Sequence, residues 1–79
     1  MTKKEKYDQV FMECFSIEQA KLDDKLIYQS TPEWDSVGHM TLIAAIEEEF
    51  DIMIDIDDII QFSSYTEGVE ILKKYEIQL

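Results

Sequence analysis

Arginine is absent from this chain, and there is one cysteine, one proline, one histidine and only two glycines, Gly38 and Gly68. Without arginine, and with seven lysines against eighteen acids, the formal charge is -11, a field that repels phosphate backbones and anionic lipid heads. Neither nucleic acid nor a membrane surface is expected as a partner. The single Cys14 cannot close an internal disulfide, and no basic flank followed by an apolar run marks a signal peptide, so a cytoplasmic setting is expected. The longest uninterrupted apolar run, Leu42 to Ile46, falls far short of the roughly 18 residues that span a bilayer. A lone His39 with no neighbouring cysteine makes a metal site improbable. At 79 residues the chain suits one domain, residues 1–79. It can bury only about 60–65% of its unfolded surface, which leaves little for a deep substrate cavity.

What is present is distributed unevenly. The lysines (Lys3, Lys4, Lys6, Lys21, Lys25, Lys73, Lys74) all lie before residue 26 or after residue 72, where seven acids balance them. Residues 26–72 hold Glu33, Asp35, Glu47, Glu48, Glu49, Asp51, Asp55, Asp57, Asp58, Glu67 and Glu70 with no basic residue, so the whole excess falls there. Such a one-signed surface keeps a small domain dispersed, and it also steers a basic partner toward it. The acids Asp51, Asp55, Asp57 and Asp58 invite comparison with a calcium loop, but the central glycine and terminal glutamate of that loop are missing. Loose divalent binding, with a rise in thermal stability on adding magnesium or salt, is expected instead.

Periodicity and caps predict four helices. Thr2 and Glu5 form a capping box ahead of a stripe of Tyr7, Val10, Phe11 and Cys14, giving a helix over about Lys3 to Phe15. A long connection, about residues 16–34, should be pinned by Leu22, Leu26, Ile27, Tyr28 and Trp34. A second helix runs from Asp35-Ser36 to about Phe50, with His39, Leu42, Ile43, Ile46 and Phe50 on its inner side. Its other side mixes Val37, Thr41, Ala44 and Glu48, with Met40 and Glu47 at the margin, and exposed apolar residues among acids suggest docking. The alternation of Ile52, Ile54 and Ile56 would suit a strand, but nothing else in the chain could pair with it. A short helix from about Ile56 to Gln61 capped by Asp55 fits better. Ser64 and Glu67 open a last helix with Tyr65, Gly68, Val69 and Leu72 on one side, Gly68 admitting a close helix crossing. The expected fold is all-α: a small bundle of three longer helices and one short, with a long loop between the first two.

Ser36 is the residue around which chemistry could be built. It opens a helix, where it or Asp35 could simply act as the cap. With Asp35 beside it and His39 one turn on, it holds the residue types of a hydrolytic triad, but no glycine-rich turn offers an oxyanion hole and so small a helical chain gives no walls for a substrate. A third reading is a modified serine: a phosphoryl group on its oxygen would meet free backbone N–H groups and the positive end of the helix dipole.

Glu33-Trp34-Asp35-Ser36-Val37, followed by Leu42 to Ile46 and then Glu47-Glu48-Glu49-Phe50-Asp51-Ile52, resembles the acyl carrier proteins, whose signature is Asp-Ser-Leu opening an acidic second helix. Together with the short third helix and amphipathic fourth, the resemblance covers nearly the whole chain to Tyr75. It implies that Ser36 carries 4'-phosphopantetheine, transferred from coenzyme A by a phosphopantetheinyl transferase, whose thiol holds an acyl or aminoacyl group as a thioester. It further implies a docking face of Val37, Met40 and Ala44 with Asp35, Glu47 and Glu48, met by basic surfaces on a loading ligase and an acceptor transferase. Leu42, Ile46, Phe50 and Val69 fall on positions that could part to shelter an acyl chain. A carrier of this kind has no active site of its own and works as a monomer. Val37 replaces the usual leucine, and Gly38 and Thr41 stand where fatty acid synthase carriers show acids; the stretch Trp34 to Met40 looks more like stand-alone carriers of specialised pathways. An aminoacyl or peptidyl carrier and an unmodified acidic interaction module are the alternatives.

Overall fold

The computed structural model describes every residue from Met1 to Leu79 and contains four α-helices and no strand. They are α1 (Lys3–Phe15), α2 (Ser36–Phe50), α3 (Ile56–Gln61) and α4 (Tyr65–Lys73). Each begins where local chemistry supplies a cap. Thr2 Oγ1 accepts from the Glu5 amide at 3.1 Å while Glu5 returns the bond to the Thr2 amide at 3.0 Å. Asp35 and Ser64 accept from the Gly38 and Glu67 amides at 2.8 and 2.9 Å. Asp55 occupies the cap position of α3 without a side-chain bond. Helices α1 and α2 end at Ser16 and Asp51, both turned into the left-handed region at φ 54°, which short polar side chains tolerate better than most.

The core is aromatic. Tyr7, Phe11 and Phe15 line the inner face of α1, and Trp34 and Phe62 enter from the connections on either side of α2 and α3, all fully buried. Phe15 stacks on Trp34 at 5.0 Å between ring centroids, and Phe11 meets Trp34 edge-on at 5.7 Å. Leu42, Ile43 and Ile46 of α2 and Ile71 and Leu72 of α4 pack against these rings, with Val10, Leu26, Ile54, Tyr65 and Ile77 completing the core. Gly68 is buried because a Cβ there would lie 2.2 Å from Tyr7 Oη and 2.3 Å from Phe62 Cζ, the close crossing its presence implied.

Several expected positions differ. Cys14 is only half-buried, because Phe15 turns inward to stack on Trp34. Burial still holds its thiol above the ordinary range, with the Glu13 charge adding to it. Phe50 and Val69 are half-buried, while Ile71 takes an inner place. Ile27 is exposed; the chain there runs extended, Tyr28 donating to the Ser63 carbonyl at 2.8 Å and Tyr65 to the Leu26 carbonyl at 2.9 Å, so Leu26 points in and Ile27 out. That pairing, with a 3₁₀ turn at Gln19–Lys21, ties down the long connection.

Two acids are core residues. Asp8 accepts from Lys4 at 2.8 Å and from the Tyr65 hydroxyl, joining α1 to α4. Asp58 accepts from Lys74 at 2.6 Å and Tyr75 at 2.7 Å, joining α3 to the end of the chain, so it does not belong to the solvent-facing acidic cluster. Lys74 first, and the Tyr75 hydroxyl second, hold its carboxyl below the usual carboxylate range.

Candidate functional site

Ser36 is the first residue of α2 and is exposed to solvent. The cap position belongs to Asp35, whose carboxylate takes the Gly38 amide, so the serine hydroxyl is relieved of that duty. Gly38 sets the approach to this turn. A Cβ on it would fall 1.8 Å from the Glu33 carbonyl oxygen, so the loop carrying Trp34 and Asp35 can lie against α2 only because residue 38 has no side chain.

Behind the serine, Trp34 is locked rather than presented. Its indole N–H can only donate, and it donates to His39 Nδ1 at 3.0 Å. His39 Nε2 must therefore carry the ring proton, which it gives to the Ile59 carbonyl at 2.8 Å. Both ring nitrogens are engaged, and neither is left to take a proton from Ser36. His39 is a half-buried residue with its polar atoms satisfied. Trp34 anchors the loop on the bundle, as expected.

An open groove of about 330 Å³ starts at Ser36 and runs between α2 and α3, lined chiefly by Tyr28, His39, Met40, Ile60 and Phe62. On α2 Val37 and Met40 are 74% and 54% exposed, and on α3 Ile56 and Ile60 are exposed to a similar degree; Met40 and Ile60 line the groove. Met53, in the connection between the helices, stands almost wholly in solvent. Ala44 and Glu48 are exposed further along α2. Glu47 differs from the other acids of α2. It is half-buried, and one carboxylate oxygen accepts from the Ile54 amide at 2.9 Å, pinning the connection into α3. Asp35 is exposed, with one oxygen engaged by the Gly38 amide.

The groove thus brings together Ser36 and Met40 of α2 with Ile59 and Ile60 of α3, residues outside the docking face that the resemblance implies. Ile59 is half-buried and Ile60 exposed, and no local pattern marks which of the two turns outward, since the consecutive Leu42 and Ile43 of α2 are both buried. No three carboxylates, histidines or cysteines converge closely enough to hold a metal ion, so the expected loose divalent binding has no preformed cluster behind it. No helix is long and apolar enough to cross a membrane.

No protein-family model matches the chain, and none of the curated proteins matches it either.

Proposed function

We propose that the protein is a carrier: Ser36 bears 4'-phosphopantetheine, and the thiol of that arm holds an acyl or aminoacyl group as a thioester while separate enzymes load and unload it. The observation that carries this reading is an exposed serine hydroxyl at the first position of α2, freed from capping by Asp35, at the head of an open groove. The residues fit the group. The hydroxyl is accessible to a transferase, and the phosphodiester it would form lies at the positive end of a helix of fifteen residues. In the attachment step the Ser36 oxygen forms a bond to the β-phosphorus of coenzyme A, and the pyrophosphate P–O bond breaks to release adenosine 3',5'-bisphosphate. The serine proton leaves to a base on the transferase. When bound, the arm supplies a thiol; the chain itself supplies placement and a surface.

That surface is Val37, Met40 and Ala44 with Glu48 and the free oxygens of Asp35 and Glu47, extended by Ile56 and Ile60. A carrier must meet several enzymes and leave each, which favours charge attraction to basic partners over a large dry contact. A hydrolytic role for Ser36 fares worse, since both His39 nitrogens are engaged elsewhere.

The test is incubation with coenzyme A, magnesium and a broad-range phosphopantetheinyl transferase, read by intact mass. The parent should gain one phosphopantetheine and Ser36→Ala none. An unmodified parent would leave an acidic interaction module, and turnover of a model ester that disappears in His39→Ala would establish a hydrolase.

A further inference from the structure

The groove that begins at Ser36 has a closed floor. His39 and Phe62 form it, and behind Phe62 lie Phe11, stacked at 6.3 Å between centroids, then Trp34 and Phe15, all four fully buried. The hydrogen bond from His39 to the Ile59 carbonyl crosses the gap between α2 and α3 like a clasp, and Trp34, in the loop before α2, holds the His39 ring in place through its indole N–H. The Ile59 carbonyl lies in the last turn of α3, where helical carbonyls lack an intrahelical partner, and His39 supplies one. An alkyl chain passing inward between α2 and α3 would have to break the His39–Ile59 bond, leave that carbonyl among apolar rings, and displace Phe62.

We infer that the group carried on Ser36 stays outside the bundle, and that the cargo is therefore a short, polar acyl group, such as an aminoacyl residue, rather than a long alkyl chain. This rests on Ser36 being the attachment point. A long chain held in water keeps its apolar surface hydrated, at a cost proportional to its length, and a carrier of such chains needs an interior to offer. This bundle has spent that interior on aromatic rings. A short polar acyl group needs no such shelter.

The experiment attaches the cargo chemically, so that it reads sheltering even if enzymatic transfer to Ser36 fails. In a Cys14→Ala, Ser36→Cys chain, the introduced thiol is alkylated with a maleimide bearing either an acetyl-pantetheine or an octanoyl-pantetheine chain. Methyl NMR shifts of Leu42, Ile46 and Leu72 are then compared. The expected result is that the two forms share the same core shifts, with any difference confined to Met40 and Ile60 on the groove. Octanoyl-specific shifts at Leu42, Ile46 or Leu72 would overturn the inference. Adding His39→Ala should unlock the gap and make the two probes differ at those core methyls; identical core shifts in that variant would show that the clasp is not what closes the bundle.

Discussion

Two adjacent residues, Asp35 and Ser36, divide between them a role that either could have taken. Because Asp35 is the cap, Asp35→Ala should cost about 1 kcal/mol in a urea titration, whereas Ser36→Ala should change stability by less than about 0.5 kcal/mol. Equal losses would mean that the serine shares the cap. The buried acid Asp58 gives a second residue-scale prediction. Its carboxyl is held below the ordinary range by Lys74, so its contribution is complete above the unfolded carboxylate pKa of about 3.9 and is lost as pH falls through the lower folded value. Lys74 is raised by the same contact, so its contribution is complete below the ordinary lysine range and is lost only as pH rises through the raised value. The stability gap between the parent and Asp58→Asn should therefore be flat from weakly acid to weakly alkaline pH and should shrink in strong acid; a gap that widens as pH falls would contradict this sign. Residue identities of this sort were only half legible. Lys4 and Asp8 stand at i, i+4 and announce a pair, but the Asp58 pair joins residues sixteen apart, and no local pattern marks it.

At the scale of elements, the helices and their starts could be read because caps and periodicity are local. Ser64, Thr2 and the boundaries of the six-residue α3 all lie where side-chain chemistry predicts. What could not be read was which of two neighbouring apolar residues turns inward. Cys14 and Phe15 are one step apart on α1, and the choice was made by Trp34, nineteen residues beyond Phe15. The same holds for Leu26 and Ile27, where pairing with the start of α4 fixed the direction. The two glycines separate intrinsic propensity from packing. Alanine is favoured over glycine inside a helix by about 1 kcal/mol, yet both substitutions should destabilise, because the new methyl meets the Glu33 carbonyl in one case and Tyr7 and Phe62 in the other. Gly68→Ala should cost about 1–3 kcal/mol by overpacking. Gly38→Ala should, in addition, slow modification of Ser36 by shifting the loop before it, measured as the initial rate of mass gain; a rate equal to the parent's would show that this close approach does not position the serine.

At the scale of the whole molecule, the charge of -11 is spread over a body of 29 × 27 × 20 Å, dimensions comparable to the screening length in dilute salt. Self-repulsion should therefore respond to ionic strength. Melting temperature should rise with sodium chloride as the Debye length falls from about 30 Å to about 3 Å. Magnesium chloride at equal ionic strength should do little more, because no cluster of carboxylates converges on one ion; a large magnesium-specific rise would contradict this. On the carrier reading the same field would draw basic partners toward the face that surrounds Ser36. The carrier reading depends on one oxygen being a covalent attachment point. The most direct measurement is the intact mass of the protein purified from its own cells, with fragmentation to place any added group. The expected result is a population carrying one phosphopantetheine, free or acylated, on Ser36. A chain recovered wholly unmodified, or modified at another residue, would contradict it.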